Sequence, residues 1–195
     1  YIKSFFGILY GKKLKKLLNN KSLNKIVLNK FHKISLINSL NHKDTNISIL
    51  HNVIRENNIE KKPVANNNIL YAGRVSKEKG VEELISSFLE MENKTFTLKI
   101  LGTGPELENL KNRYHNEKSI IFLGSLDNEN TLHNISTSVA VITATKMLEG
   151  QPTLLSEASS LGVPSIFPDS SGISEYFPEE YPLKFKQFDY SDLKL

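Results

Sequence analysis

From Asn68 to Phe167 the chain repeats one pattern. A short apolar run is followed by a turn rich in glycine or polar residues, and then by a segment with apolar residues at helical spacing. Ile69-Leu70-Tyr71-Ala72 precedes Val81, Leu84, Ile85, Phe88 and Leu89, which share one helical face. Phe96, Leu98 and Ile100 alternate with Thr97 and Lys99 and lead into a polar helix carrying Leu107, Leu110 and Tyr114. Ile120 to Leu123 is a third strand, and its helix starts with Asp127 as N-cap and packs through Leu132 and Ile135. Val139 to Ile142 is a fourth strand. A helix from Pro152 to Leu161 follows, with Pro152 in its first turn and Gly162 as its stop, and Val163 to Phe167 forms a fifth strand. Parallel neighbours need a crossover between them, usually a helix, and strands covered on both faces read as apolar runs. The expected fold class is therefore α/β, a parallel sheet with helices on both faces.

The first 66 residues do not keep this rhythm. Tyr10 to Leu18 reads as helix, Lys25 to Leu28 as strand, Phe31 to Leu40 as helix and Ile47 to Leu50 as strand, followed by Asn- and Lys-rich sequence. We expect three parts: residues 1–52, a linker at 53–67 and a domain at 68–195. With 195 residues, two complete domains would be a tight fit. Cysteine is absent, which removes disulfides, thiolate nucleophiles and cysteine-ligated metals from consideration. The longest apolar runs fall well short of a membrane span.

The net charge of +4 is concentrated near the start, in Lys12, Lys13, Lys15, Lys16 and Lys21. Aromatic residues do not interleave with these lysines, and no zinc-finger or helix-turn-helix spacing occurs, so no nucleic-acid partner is expected. Leu14, Leu17 and Leu18 instead make an apolar stripe between the lysines. A solvated helix packed on a domain is the favoured reading of this segment. Peripheral contact with a membrane surface is its rival. Cytoplasm is the expected compartment, including the inner face of the cell membrane.

In a parallel sheet, ligands bind beyond the carboxyl ends of the strands, where loops and helix N-termini converge. The chain's polar and glycine-rich turns fall there: Gly73-Arg74 through Lys79-Gly80, Gly102-Thr103-Gly104, Gly124-Ser125, Thr143 to Gly150, and Asp169 to Gly172. Arg74 and Lys79 share one loop and suit a diphosphate, the arginine as a planar fork and the lysine as a mobile charge. By themselves they read more readily as solvated surface charges, or as Arg74 paired with Glu78. Gly102-x-Gly104 lacks the third small residue of a dinucleotide fingerprint, since Leu107 stands there, and a tight turn capping a helix accounts for it better. Glu149 falls in a loop and Glu157 on a helix beside Leu154, at the border of the face where Leu154, Ala158 and Leu161 meet the core. A carboxylate at that border needs donors. His115 and His133 fall on polar helices, and no His, Asp or Glu cluster has metal-ligand spacing, so no metal is expected.

In combination and order, Gly73-Arg74-x4-Lys79-Gly80, Gly102-x-Gly104-Pro105, Phe122-x-Gly124, Glu149-Gly150-Gln151-Pro152-x4-Glu157-Ala158, Gly162-Val163-Pro164 and Ser171-Gly172-x2-Glu175 resemble glycosyltransferase family 4. These are retaining enzymes of the GT-B fold. The resemblance covers residues 46–182 and implies a Rossmann-like C-terminal donor domain preceded by the tail of an N-terminal acceptor domain. It implies that Arg74 and Lys79 hold the donor diphosphate and that Glu149 contacts the sugar hydroxyls, these three carrying the chemistry. It implies further that Glu157 holds the ribose, that the backbone at Ser125 and Leu126 meets the base edge, and that the amides of Thr153 and Leu154 point at phosphate. Gly73, Gly102, Gly150 and Gln151 complete the implied substrate contacts.

The resemblance thus implies metal-independent transfer of a sugar from a nucleoside diphosphate sugar, with no cofactor, to a glycan or lipid-linked acceptor. Bacterial capsule or lipopolysaccharide synthesis is the expected setting. Two departures stand out. Gln151 and Pro152 replace the family's usual aromatic and glycine, and the family's early glycine-rich loop and histidine have no counterpart, so the chain alone is expected to lack turnover. A GT-B sugar-nucleotide epimerase and an inactive nucleotide-sugar-binding module are the rival readings.

Overall fold

A computed structural model describes residues 11–20, 22–40, 46–54, 67–91 and 95–193. The chain divides into two compact units, Tyr1–Asn52 and Val53–Leu195. The linker expected at 53–67 falls mostly on residues outside those described.

In the first unit, helix α1 (residues 11–18) precedes β1 (Lys25–Val27), α2 (Lys30–Leu40) and β2 (Ile47–Ile49). Strands β1 and β2 pair in parallel, Ile26 opposite Ser48. Asn29 is fully buried and its side chain accepts from the His32 amide at 2.7 Å, capping α2. On α1, Leu14 and Leu17 are 48% and 57% exposed, so the stripe read from the sequence is a surface in this unit.

The second unit alternates strand and helix: β3 (Asn68–Ala72), α3 (Val81–Leu89), β4 (Thr97–Leu101), α4 (Leu107–Arg113), β5 (Ile120–Gly124), α5 (Asn128–Ser136), β6 (Ala140–Ile142), α6 (Thr153–Ser160), β7 (Ser165–Asp169), α7 (Ser171–Ser174) and β8 (Lys184–Lys186). All strand pairs are parallel, in the order β5-β4-β3-β6-β7-β8. The sheet is thus Rossmann-like. The chain runs outward from β3 through β4 to β5 and returns to the other side of β3 at β6, which makes the β3/β6 boundary the switch point.

Strand periodicity sorts the core into two layers. Ile69 and Tyr71 of β3 face the layer containing Val81, Leu84, Ile85 and Phe88 of α3 and Leu107 and Leu110 of α4. Leu70 between them faces the opposite layer, with Leu132 and Ile135 of α5 and Leu154, Leu155 and Ala158 of α6. Helices therefore cover both faces, and β3 is buried over nearly its whole length because it lies inside the sheet.

Three boundaries differ from the sequence reading. Pro152 is the N-cap of α6, with extended backbone (φ −63°, ψ 122°), so the helix starts one residue later than expected. Strand β7 starts at Ser165 instead of Val163. Gly162 adopts φ 65° and donates to Ser159 O at 3.1 Å while Val163 donates to Ala158 O at 2.9 Å, a Schellman closure that commits Val163 to ending the helix. The short α7 and the edge strand β8 were not anticipated.

Candidate functional site

The switch point places the turns after β3, β4 and β5 beside the start of α6. Together they enclose an open cleft of about 590 Å³. Its wall comprises Ala72, Gly73 and Arg74 after β3, Leu101 to Gly104 after β4, Ser125 and Thr131 of the β5–α5 region, and Thr153, Leu154 and Glu157 of α6.

The loops after β3 and β4 are joined by continued backbone pairing. Gly73 donates to Leu101 O at 2.9 Å, Val75 to Thr103 O at 2.8 Å, and Gly102 to Gly124 O at 2.7 Å. A Cβ on Gly102 would lie 1.9 Å from Gly73 O, and its φ of 133° is one that side chains rarely adopt, so the close approach demands glycine. The amides of Gly73 and Gly102 are spent on neighbouring carbonyls, so these glycines shape the cleft wall without being free donors. Thr153 and Leu154, the first two helical residues of α6, carry amides that precede any intrahelical acceptor, at the positive end of the helix dipole.

Arg74 is exposed at the cleft mouth. Its guanidinium makes no ion pair among the described residues, so the alternative pairing with Glu78 is not formed; backbone hydrogen bonding at Glu78 holds that carboxyl below the usual range, with a smaller contribution from the Arg74 charge. The Arg74 carbonyl is anchored from beneath by the Tyr71 hydroxyl at 2.8 Å. Burial, then the charges of Glu149 and Glu78, push the Tyr71 phenol far above its ordinary value, so it is a permanent donor there.

Glu157 projects from α6 beside buried Leu154 and Ala158, as its spacing implied. Partial burial raises its pKa above the usual carboxylate value. Among the described residues no cation pairs with that carboxylate, so its burial is uncompensated, a condition that a ligand's hydroxyl groups would relieve.

Lys79 and Glu149 meet each other at the neighbouring turn, forming an ion pair with side chains 28% and 18% exposed. The sequence reading placed both in the site but did not pair them. Thr145 was also missed as an individual residue: its hydroxyl donates to Glu149 Oε1 at 2.9 Å. A second ion pair, Lys146 with Glu83, and a bond from the Lys146 amide to Glu78 O at 2.9 Å tie the β6–α6 turn to the β3–α3 turn. Lys79 and Glu149 are not among the residues lining the main cleft. Gln151 lines a separate depression of about 370 Å³ with Pro152, Leu155, Tyr176 and Phe177, and its side-chain amide donates to Ser156 Oγ at 3.3 Å. Leu126 packs against the core layer of α5 and α6 instead of lining the cleft, and Gly150 follows Glu149 in the turn. Thr131, which lines the cleft, carried no signal in the sequence because one threonine on a polar helix is unremarkable. Among the described residues no group of three His, Asp or Glu side chains is placed to hold a metal ion.

A Rossmann-like parallel sheet whose switch point opens into a cleft with an arginine, a helix N-terminus and a carboxylate is the framework of a nucleotide-binding domain. The chain belongs to the glycosyl transferases group 1 family, whose model matches residues 53–188. Among curated proteins, none matches it significantly. Solved structures show the same fold within GT-B glycosyltransferases. The lipopolysaccharide outer core galactosyltransferase WaaB superposes with a TM-score of 0.72 at 21% identity, over 87% of this chain and 50% of that one. TarM, known from S. aureus, gives a TM-score of 0.79 at 17% identity over 93% of this chain and 37% of that one. Anabaena HepE in complex with UDP gives 0.74 at 17% identity over 86% and 51%. The chain therefore spans about half the length of WaaB and HepE and less of TarM.

Proposed function

We propose that this chain is the donor-binding part of a retaining, metal-independent glycosyltransferase that moves a sugar from a nucleoside diphosphate sugar to a polysaccharide or lipid-linked acceptor. The observation that carries the reading is the cleft, which gathers Gly73, Arg74, Gly102, Ser125, Thr153, Leu154 and Glu157 from three turns and from α6. In this reading Arg74 grips the diphosphate with its fork, and Lys79 joins it from the same loop. The amides at the start of α6 add donors aimed at phosphate. Glu157 accepts from the ribose hydroxyls, the backbone at Ser125 and Leu126 meets the base, and Glu149, with Gly150 and Gln151, meets the sugar. As the bond from the anomeric carbon to the diphosphate oxygen breaks, negative charge grows on the leaving diphosphate. The Arg74 and Lys79 cations and the amides at the start of α6 stabilise that charge, which lowers the barrier.

Support for a sugar nucleotide as donor comes from HepE, crystallised with UDP, with UDP and glucose, and with UDP-glucose. For the acceptor, the lysine and leucine surface of α1 supports peripheral contact at the inner face of the cell membrane. No helix among the described residues is long and apolar enough to cross a membrane. A thermal-shift panel tests the donor reading: UDP, GDP and ADP, each with and without an attached hexose. One base is expected to raise the melting temperature, and one of its sugar forms to raise it further. A panel in which no nucleotide shifts the melt would contradict the proposal.

A further inference from the structure

We infer that Thr145 is the positioning residue for Glu149, fixing which carboxylate oxygen the turn presents to a donor sugar. The inference rests on the proposed reading that Glu149 meets that sugar. Thr145 lies three residues beyond the end of β6 and is 1% exposed, among the most buried polar residues described. A hydroxyl has one proton to give and lone pairs to accept. Here the proton goes to Glu149 Oε1 at 2.9 Å, while the oxygen accepts from the Met147 amide at 3.1 Å. Thr145 is therefore held by the turn it organises.

Lys79 meets the same Oε1. Among the described residues both donors to this carboxylate converge on one oxygen, which leaves Oε2 as the atom disposed to accept from a sugar hydroxyl. The two donors are not equivalent. Lysine sits on a flexible stem and, in the proposed function, is drawn to the diphosphate. Thr145 is β-branched, buried and bonded at both ends, so it stays when the lysine moves. A free glutamate would pay rotamer entropy on binding each sugar, and one already tethered at Oε1 pays less.

The test is titration calorimetry on the wild-type chain and on Thr145→Val, Thr145→Cys and Thr145→Ser, using UDP, GDP and ADP and the glucose or mannose conjugate of each. The readout is the ratio of affinities for the sugar form and the bare diphosphate. Wild type is expected to favour one sugar form. Thr145→Val, which has the shape without the donor, is expected to reduce that ratio about tenfold while the bare diphosphate binds within about twofold of wild type. Thr145→Ser, which keeps the donor, is expected to retain the ratio. If the valine variant does not melt as a folded protein, Thr145→Cys, with a weak donor of similar size, takes its place with the same expectation. An unchanged ratio in the folded valine or cysteine variant overturns the inference. So does an equal loss for both ligands, which would mark Thr145 as purely structural. A wild-type chain that binds a diphosphate with no gain from any sugar also overturns it but leaves the nucleotide site standing, whereas a wild type that binds nothing refutes the functional reading itself.

Discussion

Arg74 and Glu157 carry the clearest expectations at the scale of single residues. Arg74→Lys keeps the charge and removes the fork, so it should weaken a nucleoside diphosphate about tenfold while barely changing binding of the nucleoside, as competition calorimetry would read. Equal weakening of both would assign Arg74 a structural role. Glu157→Gln should weaken the bare nucleotide by about tenfold or more, because the acceptor of the ribose hydroxyls loses its charge. The same change should stabilise the unliganded fold. Burial holds the Glu157 carboxyl above its ordinary value, so the folded chain binds the proton more readily than the unfolded one. Stability is then lost as pH rises through the carboxylate range and past the raised value. Melting curves should place Glu157→Gln above wild type near neutral pH and together with it in acid. A variant less stable than wild type at neutral pH would show that Glu157 already has compensating partners. Glu149→Gln should behave differently, leaving bare nucleotide affinity no weaker because it frees Lys79 from its ion pair, and removing the gain from the sugar. The identities and loops of these residues were legible from sequence, since charge and glycine in a turn are local signals. The Lys79–Glu149 pair was not, because it joins two loops far apart along the chain, and neither was its Thr145 anchor, because a hydroxyl four residues before a glutamate in an irregular turn has no periodic signal.

Elements inherit their precision from their caps and closures. Asp127 was legible as an N-cap, and it accepts from the Asn130 amide at 2.8 Å, which with the neighbouring side-chain bond holds its carboxyl below the usual range. A depressed value means that its contribution is present above the ordinary aspartate range and fades as pH falls through the lowered one. Asp127→Ala should therefore lower the melting temperature at neutral pH and show no difference from wild type in strong acid. Gly102→Ala belongs to the same scale. Its Cβ would strike Gly73 O, separating the β3 and β4 loops, and a melting temperature lowered by several degrees is expected, with loss of nucleotide binding. Strand β8 escaped the sequence reading for a physical reason: Lys184–Lys186 buries only Phe185, and one apolar residue has no period. The early ending of α6 at Gly162 was visible in sequence, but the two bonds that claim Val163 for the closure were not.

At the scale of the whole molecule, strand order could not be read from periodicity, which reports faces and not neighbours. The return of the chain to the far side of β3 is what gathers turns after β3, β4 and β5 against α6, and the cleft depends on it. The family match over residues 53–188 coincides with this sheet, so the proposed donor site lies within the matched region. In the proposed function the cleft binds a nucleoside diphosphate through Arg74 and backbone amides, joined by Lys79 from the adjoining turn, with no divalent cation. Calorimetric titration with UDP, GDP and ADP, repeated in EDTA, is the decisive measurement. Saturable binding of at least one, with the same affinity in EDTA, is predicted; no binding by any of the three, or binding abolished by EDTA, would contradict it.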